Sequence, residues 1–267
     1  MINIIRASFY KLIKDWTFRI TMIVGLGVGV LMILINWGLG SLNGESMLIS
    51  SASPTQNFGL TIPINLIVFT IGEFTFGTIR NKIIAGHTKL KLYIGLFITG
   101  LIFTYSLMVV YLAFVVGISS LAGGFDVSSF GGPAFVGYFI AYIFTTYLFV
   151  TSLSVFFGTL FRSIGGSISV VVVLLVMIGL LPLILTLSLG KGFEPNNLQM
   201  WLNPVYFIGL YGSSSAIIAL LKEFGADVSK FFIQSPDMVA AGIVTPLYWS
   251  TIFFVCGALI FTHRDVK

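Results

Sequence analysis

Long apolar runs, broken by short polar or glycine-rich stretches, dominate this chain. Six of them, at 20–40, 60–77, 92–121, 134–160, 166–189 and 239–262, meet or approach the length of a membrane span. A helix needs about 20 apolar residues to cross a hydrocarbon layer of ~30 Å at 1.5 Å per residue. The pattern therefore predicts an all-α integral membrane protein with six transmembrane helices. The second run is short and carries Pro63, which predicts little tilt or a break. A further apolar stretch, 205–221, is interrupted by Gly209, Gly212 and three serines. A seventh span there would carry Arg264 and Lys267 to the far side of the membrane. The reading is one or two short helices dipping into the outer leaflet, within about 196–230.

Before the first span, Ile2, Ile5, Phe9, Leu12, Ile13 and Trp16 recur at helical spacing, with Lys11, Lys14 and Asp15 mostly off that stripe. This predicts an amphipathic helix over 1–18 lying in the membrane interface, ahead of a transmembrane domain over 19–267. The plainer alternative is a frayed basic tail that only sets orientation. Run 20–40 is too long for the ~7–15-residue core of a cleavable signal peptide, so it reads as a retained span.

Charge sets the orientation. Eleven basic residues fall in the N-terminal segment, the 78–91 loop, the 161–165 turn and the C-terminal tail, against three (Lys191, Lys222 and Lys230) on the other side. The excess predicts both termini in the cytoplasm. Apolar residues make up 57% of the chain and charged residues 9%, with a mean hydropathy of +1.04. Soluble domains carry roughly 25% charged residues, so the lipid bilayer is the expected environment and nucleic acid is not an expected partner.

The chemistry the chain lacks narrows its function. The single Cys256 leaves no pair for a disulfide. No phosphate-binding glycine loop and no H-E-x-x-H zinc motif occurs. His87 and His263 are isolated, which predicts no metal and no cofactor on this chain. Gly212-Ser213-Ser214-Ser215 lacks a histidine base on the same membrane face, which counts against an intramembrane serine protease. Apart from Glu73, every acidic or basic residue lies in a loop or at a span end, which counts against an ion-driven carrier.

The segment 73–89 is the most informative. Glu73 lies near the inner end of the second span, which closes around Gly77. A short helix is predicted from Thr78 to Ala85, stopped by Gly86. Its basic residues and the apolar pair Ile83 and Ile84 suit docking onto a soluble partner, although positive charge alone is ordinary for a cytoplasmic loop. Glu73 reads as a latch, pairing for instance with Arg80 or with the N-terminal helix. The alternative is a carboxylate solvated at the interface.

The pattern E-x3-G-T-x-R-N-x4-G over Glu73–Gly86 resembles the second span and first coupling helix of type-2 ABC transporter permeases, the ATP-binding-cassette exporter class. The layout is similar over the whole chain: length, six spans, cytoplasmic ends and an N-terminal interfacial helix. Leu202-Asn203-Pro204, followed by Tyr206 and Phe207, fits the family's outer-leaflet connection between the fifth and sixth spans. The resemblance implies that a coupling helix over about 78–86, with Thr78, Arg80, Asn81, Lys82, Ile83, Ile84, Gly86 and the adjoining His87, sits in a cleft of a separate ATPase subunit. That subunit would hold ATP and Mg, leaving this chain without catalytic residues. It further implies two permease chains, identical or different, in a bacterial cytoplasmic membrane. Their first and fifth spans would meet at the dimer interface, with the second contributing to the pathway. Gly25 and Gly29 in the first span, with Gly166 and Gly179 in the fifth, allow such close approach. Packing within one chain would use small residues equally well. Pro182 is expected to kink the fifth span in its outer half.

An apolar interior with 26 phenylalanines suits an amphipathic or apolar cargo: a peptide toxin, a bacteriocin or a drug-like molecule. Rival readings are a self-sufficient ion-coupled carrier or channel, and a peptide-binding immunity or sensor protein.

Overall fold

The structure, a computed structural model, describes residues 6–10, 14, 16–38, 44, 47, 61–75, 78–125, 133–161, 163–189 and 236–263. Its secondary structure is helical throughout. In chain order the helices are α1 (Trp16–Gly38), α2 (Thr61–Thr75), α3 (Thr78–Ile84), α4 (Lys89–Gly123), α5 (Pro133–Leu160), α6 (Ile164–Leu189) and α7 (Pro236–His263). Each of the six apolar runs is helical wherever it is described. The outer-leaflet helices expected at 196–230, and half of the predicted interfacial helix over 1–18, lie outside the described residues.

Four segments are long and apolar enough to cross a bilayer: Phe18–Gly38, Lys89–Gly123, Val136–Leu160 and Gly242–His263. A fifth is obtained if α2 and α3, which meet at 54°, count as one broken span. α6 extends over 26 residues and contributes a shorter apolar stretch, Ile164–Val176. In hydrocarbon a helix is the natural solution for such runs, because it satisfies every backbone polar group within the segment. Pro63 falls in the first turn of α2, where its missing N–H costs no helical bond. The break in this run comes at its C-terminal end, between Thr75 and Thr78.

α5 is the central helix, packed against α7, α2, α4 and α6. Small residues bring the backbones together. A Cβ added at Gly158 of α5 would stand 3.0 Å from Thr70 Cβ of α2, and one at Gly100 of α4 would touch Leu66 and Thr151 at 3.4 Å. Many buried hydroxyls are accommodated cheaply, because they bond back to a carbonyl of their own helix: Thr99 to Gly95, Thr151 to Tyr147 and Ser154 to Val150. Others tie helices together. The Thr151 and Thr104 hydroxyls are hydrogen-bonded at 2.9 Å, Tyr105 donates to the Phe144 carbonyl at 3.1 Å, and Asn65 to Thr21. Near the α2–α3 elbow an aromatic cluster closes the bundle, with Phe97 against Phe254 at 4.7 Å and Phe74 against Phe261 at 5.6 Å. Lys89 Nζ donates to the Thr262 carbonyl at 3.2 Å, setting a cation at the C-terminal end of α7, where the helix dipole favours it.

Candidate functional site

The elbow between α2 and α3 gathers the residues singled out in the sequence. α3 is seven residues long, and its end is fixed by glycine. Gly86 has φ +89°, a left-handed conformation that suits a residue without Cβ. Around it the Gly86 amide donates to the Ile83 carbonyl at 2.9 Å and the His87 amide to the Lys82 carbonyl at 3.1 Å. These are the two bonds of a Schellman motif, so the predicted glycine stop is also the hydrogen-bonded cap.

α3 is two-faced. Ile79 is fully buried, and Ile83 packs partly against the core. Arg80, Asn81 and Ile84 face outward, Ile84 at 74% exposure. The apolar pair Ile83–Ile84 is thus divided: one residue anchors the helix and its neighbour is presented with Arg80. Thr78 and His87 are half-buried at the two ends.

Glu73 is completely buried, and its Oε2 accepts a hydrogen bond from Lys82 Nζ at 2.8 Å. Burial removes the alternative of a solvated carboxylate. The ion pair runs to Lys82, where Arg80 was the partner named from the sequence. The reason is helical phase: Ile79 turns inward, Lys82 three residues later shares that face, and Arg80 lies about 100° around the helix. Lys82 Nζ also donates to Ser8 Oγ at 3.4 Å, and Ser8 is buried within the helical residues 6–10. One ammonium therefore joins the end of α2, the short helix α3 and the N-terminal segment. The side chain of Lys82 keeps 20% exposure against 1% for Glu73.

The residues proposed for dimer contact are placed separately. Gly25 and Gly29 are both buried in α1. At Gly29 a Cβ would stand 2.7 Å from Val115 and 3.2 Å from Tyr111, so this chain's own α4 occupies that face. Gly166 lies in the first turn of α6, its amide donating to Ser163 Oγ at 3.2 Å; Ser163 thereby acts as the N-cap. Gly179 and Pro182 fall within α6, and their surroundings lie outside the described residues. Two features escaped the sequence reading: Ser8 as a partner of Lys82, and Pro246 inside α7. The proline was legible as a helix-breaking residue within an apolar run; the Ser8 contact is purely tertiary.

Among the described residues no group of three or more His, Cys, Asp or Glu could hold a metal ion. What the elbow offers mechanically is a short, capped helix held to the bundle by a buried ion pair, with a basic and apolar face turned outward. No family model, no curated protein and no solved structure matches the chain.

Proposed function

We propose that this chain is the transmembrane permease subunit of an ATP-driven ABC exporter with the type-2 layout. The observation that supports it most is the α2–α3 elbow: a capped seven-residue helix set at 54° to its span, presenting Arg80, Asn81 and Ile84 outward. In this reading α3 is the coupling helix, and Glu73 with Lys82 is the latch that passes its movement to α2. The chain has six spans, an N-terminal interfacial helix and both ends in the cytoplasm of a bacterial cell. ATP and Mg are bound by a separate ATPase subunit, and two permease chains complete the translocase. Its cargo is amphipathic or apolar, a peptide toxin, bacteriocin or drug-like molecule moved outward.

Purification of the chain from its native membrane in mild detergent tests the assembly. An ATP-hydrolysing subunit is expected to remain bound through two chromatographic steps in a fixed ratio to the permease. A chain that purifies alone, and moves solute in liposomes without ATP, would instead support a self-sufficient carrier.

A further inference from the structure

The seam between α5 and α7, well away from the elbow, contains polar groups that its own helices do not satisfy. Pro246 sits inside α7 and has no N–H, so the carbonyl of Gly242 one turn earlier loses its usual helical donor. Gly242, Thr245 and Pro246 are all buried. Thr245 Oγ1 has no hydrogen-bond partner among the described residues, although Thr245 is only 2% exposed. Other buried hydroxyls of the bundle, such as Thr99, Thr151 and Ser154, bond back to their own helix.

The register of the two helices shows what faces this spot. Phe253 of α7 lies 6.1 Å from Phe149 and 5.3 Å from Phe156 of α5, and Gly257 packs against Phe156. Thr245, Trp249, Phe253 and Gly257 repeat every fourth residue and so share one stripe of α7. Two turns back from Phe253, that stripe brings Thr245 level with Tyr142 and Thr146, both buried in α5. Among the described residues, the groups so placed are hydroxyls and a freed carbonyl.

An unsatisfied buried polar group costs about 1–3 kcal/mol, and hydrocarbon supplies no partner. A polar site of this kind takes up water when two to four partners converge on it. We propose that the seam around Thr245, Gly242, Tyr142 and Thr146 is a hydrated site within the helix bundle. It binds exchangeable water, and its acceptor oxygens suit a small hydrogen-bond donor in the same place. This assignment is independent of how transport is energised.

The test uses the full chain, carrying Cys256→Ser and reconstituted in liposomes, with a small charged methanethiosulfonate reagent as the probe. That reagent attacks thiolates, which form only where water reaches. Thr245→Cys and Thr146→Cys are compared with Val244→Cys, on the exposed face of the same turn, and with Leu153→Cys in the core. At least one seam variant is expected to react about tenfold or more faster than both controls, because a hydrated thiol ionises and a dry one does not. The proposal is overturned if both seam variants are folded, as judged by monodisperse elution, and neither reacts faster than Leu153→Cys.

Discussion

Lys82→Met is expected to destabilise the folded chain by about 3 kcal/mol, because it removes the cation from a buried carboxylate. The side chain of Glu73 is 1% exposed and lies 2.8 Å from the Lys82 ammonium. Glu73→Gln is expected to cost less, roughly 1 kcal/mol, since a long lysine at 20% exposure can swing its charge toward water. The double variant should recover much of the Lys82→Met loss, as removing both charges leaves no buried ion without its partner. Thermal unfolding in detergent reads all three. Equal losses from the two single variants, adding in the double, would show that the pair is not coupled in the folded chain.

The second large effect is functional. Arg80→Glu should leave stability nearly unchanged, because Arg80 is exposed and Ile79 and Ile83 hold the helix in place. A reversed charge inside a partner's cleft is a different matter, since like-charge contact costs several kcal/mol and each 1.4 kcal/mol is tenfold in binding. If α3 docks on an ATPase subunit, the variant should lower the ATPase activity retained with the purified permease by at least about tenfold. Its unfolding temperature should stay within a degree or two of the parent, a shift consistent with an exposed substitution. Undiminished retained activity would remove Arg80 from the docking surface.

The helices were legible because length and apolarity are local properties of the chain. Run 92–121 needed only its first and last turns extended to become Lys89–Gly123, and the stop at Gly86 was legible because a left-handed cap favours glycine. The partner of Glu73 was not. Choosing between Arg80 and Lys82 requires the phase of α3, which Ile79 sets by burying itself, and the 54° bend that brings α3 back beneath α2. Ser8 was hidden for a stronger reason: its contact with Lys82 joins residues 74 positions apart, and no periodicity encodes that. Gly29 illustrates the same difficulty from the other side. A small residue on a span announces close approach, but only the fold shows that α4 of the same chain makes it.

The most direct test of the proposed role is a cross-link from α3 in native membranes. Asn81, exposed on the outward face, is replaced by cysteine in the Cys256→Ser background, and a short bifunctional thiol–amine reagent is added. The expected product is a covalent adduct between this chain and a second polypeptide that photolabels with azido-ATP. Adducts confined to the chain itself or to lipid, with the ATP-binding polypeptide never captured, would contradict a coupling role for α3.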